Sequence, residues 1–243
     1  MLLAIDAGNS FVKLAYHDGQ AWRRQQRIPL AAFVDEAKRL SEEPGPGQII
    51  ISNVAGDAFA VPAQHLLDRW GKSAVWVSAQ PAACGVVNSY ARPEQLGSDR
   101  WAALIAVRAL YKSACVVASV GTAVTIDVMN GDGVFVGGVI LPGIHVMQES
   151  LYRATAGVAV GAGQYVPFPR NTADGVYSGT LQAIAGAVER MARVAAGVAT
   201  DVKIVVTGGA AGVIAPLLTP APAMIPDLVL EGLLHIARTE DCA

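Results

Sequence analysis

Residues 1–19 read MLLAIDAGNSFVKLAYHDG. Two apolar runs, Leu2–Ile5 and Val12–Tyr16, flank the turn Asp6-Ala7-Gly8-Asn9-Ser10, and Asp18-Gly19 marks a second turn before Ala21–Ile28. Short apolar runs punctuated by Gly, Asn and Asp are the pattern of antiparallel strands joined by tight turns. The spacing therefore predicts a three-stranded meander at the start of the chain. A plain surface turn accounts for Asp-Ala-Gly-Asn, because those residues tolerate the dihedrals a turn needs. It does not account for a second stretch of the same kind, CVVASVGTAVTIDV at 115–128.

From that second stretch the opening pattern repeats. A strand ends at Ser119-Val120-Gly121-Thr122, another runs Ala123–Met129, NGDG turns, and a third runs Val134–Leu141. After each meander the chain alternates helices with buried strands. Helices are expected at Leu30–Leu40, Phe59–Trp70, within GSDRWAALIAVRALY (97–111), near Ile144–Ala154, at Gly179–Val198, Ala211–Leu218 and Leu228–Ala237. Strands are expected in QIIISNV (48–54), SAVWVSA (73–79) and VKIVVTGG (202–209). Ser98 reads as an N-cap with Asp99 in the first turn of its helix. Such a duplication of an α/β unit with a mixed sheet predicts two similar lobes around a cleft. The division is expected near Ala91–Ser113, giving lobes 1–112 and 113–243.

Composition narrows the function classes. Of 243 residues, 53% are hydrophobic and 16% charged, which describes a packed globular chain. The net charge of −2 offers no basic excess for direct contact with nucleic acid or an anionic membrane. Mean hydropathy is +0.40, yet the longest charge-free run, between Lys203 and Asp227, is broken by glycines and prolines, so no spanning helix is expected. Asp6 interrupts any signal-peptide core. Cys84, Cys115 and Cys242 read as reduced cytosolic thiols, and the chain as cytoplasmic. His17, His65, His145 and His235 show no ligand spacing.

A duplicated hairpin with Gly and small polar residues at its turn can offer backbone N–H groups to a polyphosphate. In the first turn these residues are Gly8, Asn9 and Ser10; in the second they are Gly121 and Thr122. Asp6 would hold Mg²⁺, which prefers hard oxygen ligands. There is no Walker A pattern, and GVAVGAGQYV (157–166) does not follow a strand as a dinucleotide fingerprint would. TGGAAG (207–212) does follow one. There Gly208 and Gly209 would let backbone approach an adenine or ribose, or would simply make a tight strand-to-helix turn.

These motifs together resemble the acetate and sugar kinase/Hsp70/actin superfamily, and within it GSDR (97–100), GGVILPG (137–143) and NTADGVYSGT (171–180) resemble the type III pantothenate kinases. The resemblance covers nearly the whole chain. It implies duplicated ribonuclease H-like (actin-like ATPase) lobes, each a mixed five-stranded sheet flanked by helices. It also implies transfer of the ATP γ-phosphoryl group to pantothenate, with Mg²⁺ and a monovalent cation, K⁺ or NH₄⁺. By that resemblance Asp99 is the base, Lys13 neutralises phosphate charge and Thr122 bonds a phosphate oxygen. Tyr90, Gly97, Ser98, Arg100 and Thr172 surround the substrate, Thr172 reaching the neighbouring subunit of a homodimer whose candidate interface is the helix 177–198.

Bland readings stand beside these. An acid in a first helical turn is stabilised by the macrodipole, which would also lower the Asp99 pKa. Arg100 could form a surface ion pair, Tyr90 could be ordinary packing and Thr172 a helix cap. Asp127 could assist at a metal or brace its turn. Two departures from the family pattern are evident: Ser119 stands where an aspartate is usual, and Ala210 follows the Gly-Gly where an acid is common. The competing classes are another small-molecule kinase of the superfamily and an ATP-binding regulatory protein.

Overall fold

The computed structural model describes residues 1–155, 163–197 and 201–239. The chain forms two compact units, Met1–Leu110 with Leu228–Ala243 and Tyr111–Asp227. The first break falls close to the expected one after residue 112. The last helix, however, joins the first unit, so the expected second lobe of 113–243 is too long at its C-terminal end.

In the first unit, strands β1 (Leu2–Ala7), β2 (Phe11–His17) and β3 (Trp22–Pro29) form the expected meander. Strands β4 (Gln48–Asn53) and β5 (Val75–Trp76) add on the other side of β1, giving the order β3-β2-β1-β4-β5. β1 pairs antiparallel with β2 and parallel with β4. The central strands are buried along most of their length, as a sheet covered on both faces requires. Helices α1 (Phe33–Leu40) and α2 (Asp57–Trp70) cover one side, with Phe33, Leu40, Phe59 and Leu66 packed against Leu3, Ile5, Leu14 and Ile51. A small hairpin, β6 (Ala82–Ala83) and β7 (Val86–Asn88), occupies what the sequence suggested was loop. SAVWVSA pairs only at Val75–Trp76.

Helix α3 (Ser98–Leu110) is buried on most of its surface, Ser98 and Arg100–Val107 all being inaccessible. It packs on helix α7 (Leu228–Arg238), the last of the chain. A Cβ at Gly232 would stand only 1.9 Å from the Ala102 carbonyl oxygen, so the two backbones meet at van der Waals contact. This packing explains why α7 belongs to the first unit.

The second unit repeats the plan. Strands β8 (Cys115–Val120), β9 (Ala123–Met129), β10 (Val134–Pro142), β11 (Lys203–Thr207) and β12 (Ala223–Met224) run in the order β12-β11-β8-β9-β10. The hairpin β8–β9 matches β1–β2 residue for residue in its pattern of burial. Helices α4 (Ile144–Ala154), α5 (Thr172–Ala196) and α6 (Ala211–Ile214) complete the unit.

Two expectations are corrected. Helix α5 starts at Thr172 and not at Gly179, because Asn171 caps it by accepting from the Asp174 N–H at 2.9 Å. Val198 lies outside the described residues. On one face of α5, Leu181, Ile184, Ala185 and Val188 pack under β8 and β9 within its own unit. Cys84 is disulfide-bonded, so the chain does not hold three free thiols; Cys115 is free and buried, and Cys242 lies outside the described residues. Residues 157–162 of the dismissed glycine stretch also lie outside them. Among the described residues no helix is long and apolar enough to cross a membrane.

Candidate active site

The first unit gathers a polar row at the ends of its central strands. Asp6 on β1 stands directly opposite Lys13 on β2 and in register with Ser52 on β4. Arg27 on β3 continues the row beyond Lys13 and lies over the Phe11 ring at 3.6 Å, a cation–π contact. Directly paired residues share a face of the sheet, so Arg27, Lys13 and Asp6 line one face in that order, both cations on the same side of the carboxylate. This is the carboxyl end of the parallel pair β1 and β4, where ligands of open α/β sheets bind. The turn itself is closed by the Gly8 N–H, which donates to the Phe11 carbonyl at 3.0 Å. That amide is therefore spent within the hairpin. At the same turn Asn9 is exposed and Ser10 half-buried.

Beside this row sits the N-terminus of α3. The Ser98 hydroxyl does not cap the helix as expected; it bonds the Ser52 hydroxyl at 2.9 Å, and both are buried. Half-buried Asp99 follows, its Oδ1 accepting from the Arg100 N–H at 2.8 Å. A Cβ at Gly97 would fall 2.6 Å from that same Oδ1, so a larger residue there would have to displace the Asp99 carboxylate. Burial pushes the Asp99 carboxyl above the ordinary aspartate range, outweighing the lowering pull of the Arg100 N–H and guanidinium. The expected lowering by the helix dipole is thus overturned, because loss of solvent costs the anion more than the helix end returns. Arg100 is buried and donates to the Tyr90 hydroxyl at 3.2 Å, so it is not the partner of a surface ion pair. The Tyr90 N–H is in turn held by Asn88 Oδ1 at 3.1 Å.

In the second unit the equivalent row has lost its charge. Ser119 on β8 pairs with Thr125 on β9 and lies in register with Thr207 on β11. These are the positions of Asp6, Lys13 and Ser52 in the first hairpin, so a charged rung has become a rung of hydroxyls. The Gly121 N–H donates to the Ala123 carbonyl at 3.0 Å, which closes a turn one residue shorter and leaves Thr122 exposed at its tip. The Thr122 carbonyl accepts from Gly143 at 2.9 Å, so the end of GGVILPG braces the turn. Gly208 is explained by the protein alone: its φ is +97°, and a Cβ would fall 2.5 Å from the Val120 carbonyl oxygen. Gly209 beside it is exposed. Asp127 shares the face of Thr125 but lies deeper, buried opposite Val117 and Gly138, a place suited to bracing the hairpin. Thr172 is exposed at the first residue of α5, and the cap is its neighbour Asn171.

Ser52, Arg27, Thr125 and Thr207 were not singled out from the sequence. For Ser52 a signal existed, a lone hydroxyl after the run Ile49-Ile50-Ile51. For Thr125 and Thr207 the signal was the alignment of the two hairpins strand by strand.

Comparison with known proteins gives the family and the fold. The family model for type III pantothenate kinase matches residues 2–194. A protein named type III pantothenate kinase from Aromatoleum aromaticum is 40% identical over 243 residues, covering all of both chains. One of the same name from Nitrosospira multiformis is 39% identical, covering 98% of this chain and 91% of its own. Among solved structures, a Baf family protein from Campylobacter jejuni superposes with a TM-score of 0.64 at 20% identity, covering 96% of this chain and 95% of its own. An archaeal actin homologue gives a TM-score of 0.52 at 12% identity, covering 98% and 99%. These two establish the fold, an actin-like α/β architecture.

The raised pKa of Asp99 has a consequence for stability. A folded-state pKa above the unfolded value means that the folded chain favours the protonated acid. The penalty is absent below the unfolded value, develops as pH rises between the two, and is complete above the folded value. Asp99→Asn should therefore raise resistance to denaturant near neutrality, with the gain shrinking as pH falls toward the ordinary aspartate value. Denaturant melts of both proteins across that range check it; a gain constant with pH, or a loss near neutrality, would be the contrary result.

Proposed function

The chain belongs to the type III pantothenate kinase family, and from that premise we propose how its residues carry the ATP-dependent phosphorylation of pantothenate to 4′-phosphopantothenate, the first step of coenzyme A biosynthesis. The observation that carries the reading is a desolvated carboxylate, Asp99, at the end of a row bearing Asp6 and Lys13. Phosphoryl transfer asks the protein for positioning, charge neutralisation and a group to accept the hydroxyl proton. Asp99 takes the proton of the substrate's primary hydroxyl as its oxygen bonds the γ-phosphorus and the bond to the ADP oxygen breaks. A carboxylate raised above its ordinary pKa is a better base than a free one, provided it stays ionised at working pH.

The remaining roles follow from position. Lys13 neutralises charge on the phosphates, while Asn9, Ser10 and Thr122 supply donors from the two turns. Gly209 leaves room for the nucleoside. Arg100, steadied by Tyr90, presents its planar fork to the carboxylate of pantothenate. Ser98 takes part through its backbone, since its hydroxyl is held by Ser52. Asp6 fits Mg²⁺: among the described residues no three acidic, His or Cys side chains gather, and this ion is ordinarily held by one or two carboxylates with the phosphates. When bound, the ion would offset charge on the phosphate oxygens.

A homodimer suits the surface of the second unit. Helix α4 buries none of its residues, and Ile140, Tyr152 and Phe168 are exposed, Phe168 by 87%. These exposed apolar side chains would be covered if that surface met a second copy. A neighbouring copy docked there would bring its own Thr172, at the start of α5, to complete the substrate site.

Two outcomes test the reading. Asp99→Asn should lower kcat for pantothenate by on the order of 10²–10⁴ in a coupled ADP-release assay. Turnover within a few-fold of the unmodified enzyme would remove Asp99 as the base.

The hydroxyl rung of the second unit makes a separate claim. Ser119, Thr125 and Thr207 offer neutral oxygens and no carboxylate to offset a cation's desolvation. The requirement for K⁺ should be weak, and Ser119→Asp should strengthen it. Activity against KCl at constant ionic strength, with a large organic cation as replacement, decides this. Tight, saturable activation of the unmodified protein, equal to that of Ser119→Asp, would contradict it.

A further inference from the structure

We propose that Ser52 is a positioning residue for the phosphoryl transfer, acting through its hydroxyl bond to Ser98; the proposal rests on Asp99 being the base. Ser52 is fully buried at the end of β4, after three isoleucines. A hydroxyl in such surroundings costs free energy unless it is bonded, and an alanine would satisfy the packing as well. Its partner is the Ser98 hydroxyl at 2.9 Å. Ser98 opens α3, where a serine would ordinarily turn its oxygen to the helix's own free N–H groups. Here the oxygen is used sideways, to tie the first turn of the helix to the sheet.

The place of that tie is what gives it a role. Ser52 is in register with Asp6 on the neighbouring strand, and Ser98 immediately precedes Asp99. One hydrogen bond therefore links β4, the strand beside the one that carries Asp6, to the turn that carries the base. Around Asp99 the other restraints are local: the Arg100 N–H on Oδ1 and the close approach of Gly97. They set the rotamer of the carboxylate relative to its own turn. The Ser52–Ser98 bond sets the turn relative to the sheet. Misplacement of a reacting group by about 1 Å can cost on the order of 10²-fold in rate, so slackening this tie should appear in kcat.

The experiment is steady-state kinetics on Ser52→Ala, Ser98→Ala and the double variant, each also made in the Asp99→Asn background. The bond predicts a kcat lowered by about tenfold in either single variant, a loss intermediate between a loosened and a misplaced group. KM for pantothenate and for ATP should stay within about a factor of two, the signature of an interaction that matters in the transition state. The double variant should lose no more than either single one, because the two hydroxyls act as one bond. In the Asp99→Asn background, Ser52→Ala should leave the residual rate unchanged, since its effect passes through the carboxylate. A kcat for Ser52→Ala within twofold of the unmodified enzyme would overturn the proposal. So would a loss that persists in full without Asp99, or one confined to KM. Failure of both single variants to fold would show a structural tie and overturn it too. Should Asp99→Asn itself retain activity, the assignment of the base falls, which is a separate result from an inert Ser52.

Discussion

The burial of helix α3 is the constraint on which the rest of the first unit depends. A helix with one solvent-facing side could present an acid at its N-terminus at no cost, and the macrodipole would hold that acid ionised. Here the helix is pressed between the sheet and α7, with Gly232 admitting the Ala102 backbone. Its first turn goes under with it. The acid at Asp99 then loses solvent faster than the helix end can compensate, and its pKa rises. The same burial explains why Ser98 bonds inward to Ser52 and why Arg100 is held by Tyr90. An Asp-Arg pair that looks like surface in the sequence is half-buried at Asp99 and buried at Arg100.

The two hairpins show how one scaffold carries two chemistries. Their strand order, pairing directions and pattern of burial coincide, so the backbone offers the same rung twice. In the first it bears Asp6 and Lys13, in the second Ser119 and Thr125. Charge therefore stands at one turn and neutral hydroxyl oxygens at the other. Each turn spends its glycine N–H on closing the hairpin. The residue after that glycine, Asn9 or Thr122, stands exposed at the tip of its turn.

Much of this was legible in the sequence because the signals were local. The apolar runs around Asp6 and Ser119 mark their strands, and the bounds of β9 and α4 come out as the pattern implies. The duplication follows from comparing the two stretches. The misreadings arose where distant packing decides. Gly175 and Gly179 weaken the apparent start of α5, but the Asn171 cap and the loop laced to Ser178 extend it. The attachment of α7 to the first unit depends on a close helix contact between residues far apart in the chain. The sign of the Asp99 shift depends on what covers α3, which no first-turn pattern records. Ser52 was missed because its partner lies 46 residues away.

The central claim is that burial, and not the helix dipole, sets the state of Asp99. Titration of its side-chain carboxyl by carbon-13 NMR in the nucleotide-free enzyme, with Asp99→Asn to identify the resonance, measures this directly. The expected midpoint lies above the ordinary aspartate value, with the carboxylate fully ionised only beyond it. A midpoint at or below that ordinary value would mean that the helix end and Arg100 prevail over burial, which would contradict the claim.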